Sequence, residues 1–307
     1  MNIKKFTNYK VSFEHQGLTL EQYLKTILKI SGRKLQKLTR TKGIFINNKP
    51  AFLKRVLQPN DNINIKIIQD QDYGVLPQPG IISILYEDNN IIILDKPPFQ
   101  LVHPTTHTTE NTLANFLANY FKESKETIKI RPLHRLDRNT SGCIIFAKND
   151  HSQNLYTKQL QEKILQRKYW ALTSGVPPQN FGIINQSIAK DPTSPNRRIV
   201  SAKGEQAITT YQVLQTFDNK YSLVALDLET GRTHQIRVHL KHLNCPIIGD
   251  SMYHTKSSLI NRQALHAYSI SFLDIDTGEK KTITTQLPLD IKNAIEKITS
   301  IKKGAVK

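Results

Sequence analysis

Hydrophobic and polar positions follow two periods along the chain, and the switches between them mark the elements. Over residues 18–30, Leu20, Leu24, Ile27 and Leu28 recur at helical spacing, and Thr19 with Gln22 three residues on forms a capping box. A shorter helix is predicted over residues 32–42. It turns Leu35 and Leu38 inward and Arg33, Lys34, Lys37, Arg40 and Lys42 outward, with Gly43 as a left-handed stop. The period then drops to two. Ile44-Phe45-Ile46 enters an Asn47-Asn48 turn, and Ile63, Ile65 and Ile67 alternate with polar residues after Pro59-Asn60-Asp61. Two helices leading into a small hairpin are expected.

The pattern lapses over residues 69–83, where Gln-Asp-Gln-Asp, Tyr73-Gly74, Pro77 and Pro79 offer little to bury, and a linker is predicted. Residues 84–290 read as one larger α+β body. Buried strands are expected at 91–94 and 143–147, amphipathic helices at 112–121 and 151–165, and an alternating strand at 221–228. A C-terminal helix and a basic tail, frayed from Lys302, close the chain over residues 291–307. The domain boundaries are thus 1–68, a linker 69–83, a body 84–290 and the terminal segment.

Composition narrows the function classes. The 307 residues are 38% hydrophobic, enough for a substantial core, and two Cys build neither a disulfide framework nor a four-ligand zinc site. Apolar runs such as Ile91-Ile92-Ile93-Leu94 fall far short of the ~20 residues of a membrane span. No secretory signal is visible in residues 1–10, so a cytoplasmic location is expected. The net charge of +18 is unevenly placed. Residues 1–68 hold 14 Lys and Arg against Glu14, Glu21 and Asp61, a net of +11. A compact basic module beside a milder body fits a polyanion partner, and a solubilising charge or a codon bias towards Lys would give the same count.

The candidate chemistry starts from absences. There is no phosphate-binding glycine loop, no dinucleotide fingerprint and no Cys/His cluster at metal spacing, so neither a cofactor nor a metal is expected. His234, His239 and His242 lie close together, but without a carboxylate or third ligand they read as structural. One segment stands apart: His134-Arg135-Leu136-Asp137-Arg138-Asn139-Thr140-Ser141-Gly142, leading into the apolar run from Cys143. An acid between two arginines at a strand's mouth suits a nucleophilic or basic carboxylate, and equally an ion pair capping the strand. Thr230-Gly231-Arg232-Thr233-His234-Gln235-Ile236-Arg237-Val238-His239 is the second dense stretch. Arg237 is a candidate partner for Asp137, or else a phosphate-contacting or surface arginine.

Both regions resemble known families. Ser31-Gly32-Arg33-Lys34-Leu35-Gln36-Lys37-Leu38, then Gly43-Ile44-Phe45-Ile46-Asn47-Asn48-Lys49, resemble the alpha-L RNA-binding motif of ribosomal small-subunit protein four. The two dense stretches look like the signature motifs of the RluA family of pseudouridine synthases. Tyr86-Glu87-Asp88, Asp95-Lys96-Pro97, His103-Pro104, Arg167-Lys168-Tyr169-Trp170-Ala171-Leu172, Thr210-Tyr211-Gln212-Val213-Leu214, Pro246-Ile247-Ile248-Gly249-Asp250 with Tyr253, and Leu265-His266-Ala267 follow in family order. Phe99-Gln100, where small residues are usual, and Leu273-Asp274-Ile275-Asp276, in place of a His-Pro pair, depart from it.

The resemblance implies an α+β fold, a catalytic domain with a mixed, largely antiparallel central sheet and flanking helices, preceded by a small α/β alpha-L domain. It also implies isomerisation of a uridine within RNA, most plausibly in large-subunit (23S) ribosomal RNA. The same reaction on transfer RNA and a non-catalytic RNA-binding assembly protein are the alternatives. Asp137 would be the essential carboxylate, as a nucleophile or as a base at the 2′ position. Arg237 would pair with it, and Tyr169 would stack on the uracil or be a plain core aromatic. Arg135 would fill the space left by a flipped uridine, with His134, Thr140, Gly231, Arg232, His234 and Gln235 lining the substrate site. Arg33, Lys34, Lys37 and Arg40 would contact RNA. The implied enzyme is a cofactor-free monomer with ribosomal RNA as its partner.

Overall fold

The computed structural model describes residues 6–28, 30, 32–66 and 70–304, the side chains of Arg33 and residues 301–304 excepted. Ile67, the Arg33 side chain and the basic tail beyond residue 304 therefore lie outside the described residues. The chain divides into two units, Met1–Gln71 and Asp72–Lys307.

The first unit is a four-stranded sheet with two helices. Strands β1 (Phe6–Lys10), β2 (Ile44–Ile46), β3 (Lys49–Pro50) and β4 (Asn62–Lys66) lie in the order β1-β4-β2-β3. The alternation misses β1, whose burial is only partial. Helix α1 (Leu20–Gln22) starts at the expected Thr19 capping box and continues as a wide turn over Tyr23–Ile27, in which Leu28 N–H donates to the Tyr23 carbonyl at 3.1 Å. The wider turn rotates the face. Tyr23 and Leu24 are buried, whereas Ile27, expected inward, is 40% exposed. Helix α2 (Gly32–Arg40) buries Leu35 and Leu38 as expected. Its left-handed residue is Lys42 (φ 48), not Gly43. Gly43 has a different reason to lack a side chain, since a Cβ there would meet Lys66 Cβ at 3.1 Å and Leu38 Cδ2 at 3.2 Å. Asn47 and Asn48 both take positive φ, the geometry of a two-residue hairpin turn.

The second unit is α+β. Strands β5 (Ile84–Glu87), β6 (Ile91–Lys96), β7 (Arg131–Pro132), β8 (Ser141–Ala147), β9 (Gln166–Ser174), β10 (Phe181–Asn185), β11 (Ile188–Asp191), β12 (Ser194–Val200), β13 (Ile208–Phe217), β14 (Tyr221–Leu228), β15 (Leu265–Leu273) and β16 (Lys280–Thr284) alternate with α3 (Leu113–Glu123), α4 (Asp150–Gln161), α5 (Gln235–His242) and α6 (Leu289–Gly304). The main sheet runs β10-β13-β14-β9-β15-β8-β6-β5, with β16 on β15, β7 on β8, and β11–β12 as a separate hairpin. Among the described residues its pairings are antiparallel except β15 with β8. Its centre is covered on both faces, which explains the unbroken apolar runs of β6 and β8. Ile92, Leu94, Ile144 and Phe146 join Leu117, Phe121, Ile291 and Ile298 in one core, while Ile91, Ile93, Cys143 and Ile145 pack with Tyr156 and Phe272 in another.

Two expectations are corrected here. Residues 72–83 are not a bare linker. Tyr73, Val75 and Ile82 pack against the main core, and the Tyr73 and Leu76 carbonyls accept from Ile130 N–H and Asn115 Nδ2. Helix α4 stops at Gln161 because Lys163 turns left-handed (φ 60) and sends Leu165 into the core. Among the described residues, no helix is long and apolar enough to cross a membrane.

Candidate active site

Asp137 lies in the turn between β7 and β8, closed by Thr140 N–H donating to the Asp137 carbonyl at 3.0 Å. Two buried cations fasten this turn from below. Lys96, fully buried at the end of β6, donates to the carbonyls of Pro97 (2.7 Å), Gln100 (2.9 Å) and Arg138 (3.1 Å). Arg262, tied to Asp290 through two nitrogens, donates to the Asn139 carbonyl at 3.2 Å. Burial and the neighbouring Arg262 charge pull the Lys96 ammonium down to about 7. Gly142 takes φ 110 where β8 meets β15, and a Cβ there would fall 2.2 Å from the Ala267 carbonyl oxygen. The family departure at Phe99 also bears on this turn. Phe99 takes φ 66, a conformation small residues adopt more easily, and its carbonyl accepts from Arg138 Nε.

The acid's cation arrives from α5. Arg237 Nη1 donates to Asp137 Oδ2 at 2.9 Å, while its Nε and Nη2 bond both oxygens of Asp250 at 2.7 and 2.8 Å. Its guanidinium also lies 4.9 Å from the Tyr253 ring centre. Burial opposes the charge on Arg237, but Asp250 and Asp137 outweigh it and hold the group protonated above its ordinary value. Asp137 Oδ1 has no hydrogen-bond donor among the described residues, and the side chain is 27% exposed. One carboxylate oxygen is thus anchored and the other available.

The arginines adjacent in sequence do not hold the acid. Arg138 turns to Phe99, and Arg135 stands exposed on the wall of an open pocket of about 360 Å³. Asp137, Thr140, Tyr169, Arg232, His234, Gln235 and Arg237 share that wall with Leu136, Leu228, Ile236 and Leu265. Tyr169 projects from β9 and is 4% exposed. Burial raises its phenol, and the charge of Asp137 adds to this against the opposing Arg167, so it remains protonated near neutrality. Thr140 accepts from Gln263 Nε2 at 3.2 Å.

Other expected substrate residues are occupied within the protein. Gln235 accepts from Thr230 Oγ1 and Arg232 N–H and donates to the Ile208 carbonyl and Thr209 Oγ1, fixing the turn before α5. Arg232 pairs with Glu205. A Cβ on Gly231 would lie 3.0 Å from Arg167 Nη1, so the glycine gives room to an arginine beside Tyr169. His234, left-handed (φ 59) at the start of α5, bonds the Tyr253 hydroxyl through Nδ1 at 2.9 Å and sets Nε2 3.8 Å from Asp137 Oδ2. Burial keeps it below its ordinary value despite Asp137.

His134 departs from expectation. It does not line the pocket, and neither ring nitrogen has a hydrogen-bond partner among the described residues. Burial, with the nearby Arg167, holds it down to about 3. His239 is structural, bonded to Thr209 Oγ1 and the Gln186 carbonyl. Lys37 and Arg40 are exposed on α2 and Lys34 is half-buried there. Asp250, Lys96 and Arg262 were not identified as site residues from sequence. Lys96 and Asp250 fall within motifs of the family resemblance without a role attached, and Arg262 lies outside them.

A profile of the family described as RNA pseudouridylate synthase matches residues 90–242. A Bacillus subtilis protein described as an uncharacterized RNA pseudouridine synthase, YhcT, is 37% identical over 284 residues, 92% of this chain and 94% of that protein. Ribosomal large subunit pseudouridine synthase D of Neisseria meningitidis is 32% identical over 263 residues, 81% of this chain and 70% of that protein. Among solved structures, human RNA pseudouridylate synthase domain containing 4 superposes with a TM-score of 0.57 at 23% identity, over 71% of this chain and 93% of that one, a likeness of fold.

Proposed function

The chain belongs to the RNA pseudouridylate synthase family, and from that premise we propose that it isomerises a uridine of large-subunit ribosomal RNA, with Asp137 as the reacting carboxylate. The reaction breaks the bond between base nitrogen 1 and the sugar, turns the base and rejoins it through carbon 5. The carbon 5 proton is released and a proton is gained at nitrogen 1, so nothing is oxidised or reduced. The observation that carries the assignment is the asymmetric hold on Asp137. Arg237 fixes Oδ2 and leaves Oδ1 for the nucleotide. Tyr169, protonated and lining the pocket, stacks on the uracil. Arg135, exposed at the wall, fills the stack that the flipped nucleotide leaves.

The choice of ribosomal RNA rests on the likeness to the Neisseria large-subunit enzyme and on the +11 module, whose α2 presents Lys37 and Arg40, with Arg33 and Lys34 on the same helix. The module acts as an alpha-L RNA-binding domain. On the same reading the enzyme works as a monomer in the cytoplasm. The test is to map pseudouridines in total RNA from cells carrying the gene, lacking it, or expressing Asp137→Asn. One 23S position should lose its modification in the last two. Loss confined to transfer RNA would refute the target, and an Asp137→Asn strain that keeps the modification would refute the carboxylate.

A further inference from the structure

The wall of the Asp137 pocket has a second side. Tyr253 bonds His234 through its hydroxyl, which also accepts the Arg198 backbone N–H at 2.8 Å. Beyond it, the β11–β12 hairpin and α5 border an open cleft lined by Arg197, Arg198, Lys241, His242, Val238 and Tyr253. No acidic residue lines this cleft. Other arginines of the same unit meet carboxylates: Arg237 meets Asp250, Arg262 meets Asp290 and Arg232 meets Glu205. Arg197, Arg198 and Lys241 form no ion pair with a carboxylate of the described residues. The buried Nε of Arg197 has no hydrogen-bond partner among the described residues. Asp191 lies within the field of Arg197, but its carboxylate accepts from Thr193 N–H and Oγ1.

Arg198 Nη1 donates to the carbonyls of Pro195 and Arg197, but no anion offsets the three cations around the cleft, and an entering anion would relieve their mutual repulsion. Two of them are arginines, whose planar forks match pairs of phosphate oxygens. We propose that this cleft is a subsite for a phosphodiester of the substrate RNA strand, next to the nucleotide held over Asp137. The proposal rests on the reading that the chain acts on RNA. It also gives the Tyr253 ring a role. The ring has Arg197 at 5.7 Å and Arg237 at 4.9 Å, so a phosphate drawn onto the hairpin steadies the side chain against which the Asp137 partner packs.

The experiment uses the full-length protein and the double variant Arg198→Gln, Lys241→Gln, with a fluorescein-labelled, uridine-rich 15-nucleotide single strand titrated at several salt concentrations. Loss of the subsite should weaken binding several-fold at low salt. It should also flatten the slope of log affinity against log salt by at least about 0.7, the share of one phosphate on a single strand. Melting temperature checks the fold, and Lys241→Gln alone, at an exposed position, serves if the double variant is unstable. Equal affinity and equal slope would overturn the subsite while leaving the wild-type activity untouched. Binding of inorganic phosphate by calorimetry, lost in the variant but without effect on RNA affinity, would make it a free-anion site and overturn the RNA assignment. A wild-type protein that binds no RNA would sink the functional reading beneath it.

Discussion

Asp137 depends on a residue that is itself held elsewhere. Asp250 fastens two of the nitrogens of Arg237 and leaves one for Asp137, so the guanidinium is aimed before the acid is engaged. Replacing Arg237 with Met removes both functions and leaves Asp250, 1% exposed, without its partner. Broken buried pairs of this kind cost about 3–5 kcal/mol. We expect urea unfolding to shift accordingly and tritium release from uridine-labelled RNA to vanish. An Arg237→Met protein of normal midpoint and rate would show that the pairing does not matter. A second prediction comes from the buried imidazoles. Burial holds His134 to about 3 and His266 to about 4, below the ordinary value of 6.5. Between those values the unfolded chain binds protons that the folded chain refuses, so stability is complete above about pH 6.5 and falls as the pH drops towards 4. Unfolding free energy measured at pH 7, 6 and 5 should decline in that order, and His134→Asn should make the decline shallower. A flat profile for the wild type would contradict neutral burial of these rings.

Elements transmit these residue-scale demands through the backbone. The Asp137 turn opens into β8, and β8 lies against β15 in the sheet's parallel pairing, where Gly142 approaches Ala267. Gly142→Ala would force that junction apart and strain a φ of 110 at a cost of about 1–3 kcal/mol from the backbone alone. Gly278→Ala, at φ 74 with open space around it, carries the backbone cost without the collision. Thermal melts should show the larger loss at Gly142, accompanied by reduced turnover, and equal losses at the two sites would disprove the close approach. The sequence displays such features unevenly, and the reason is distance along the chain. The capping box at Thr19 and the buried runs of β6 and β8 were legible because their partners are a few residues away or their burial is two-sided. Residues 72–83 were misread because what they cover, around Asn115 and Ile130, lies far along the chain. The wide turn after α1 leaves the helical period intact in the sequence while rotating Ile27 outward. At the site, Asp137 and Arg237 stand out within dense motifs. The roles of Lys96 and Arg262 do not, because the carbonyls that Lys96 holds and the Asp290 that Arg262 meets are set by the fold and leave no local pattern in the sequence.

At the scale of the whole molecule, the chain divides into a unit with its own core around Leu20, Leu24, Leu38, Ile46 and Ile63 and a larger unit that contains every residue around Asp137. Chemistry and bulk charge are therefore separable. With a net of +11 in its first 68 residues, the smaller unit should supply much of the phosphate contact, led by Lys37 and Arg40 on α2. Each phosphate it neutralises adds about −0.7 to the slope of log affinity against log salt for single-stranded RNA. A protein lacking residues 1–71 should bind ribosomal RNA more weakly, with a flatter slope. It keeps Asp137, Tyr169, Arg237 and Asp250, so it should still release tritium from abundant labelled RNA, with the loss appearing in KM more than in kcat. The measurement is a salt titration of the full-length and shortened proteins with one ribosomal transcript, followed by turnover assays on both. An unchanged slope would mean that the basic unit does not touch the RNA. A shortened protein that melts cooperatively yet turns over nothing would mean that the unit helps to build the active site, because the residues that hold Asp137 would then be insufficient without it.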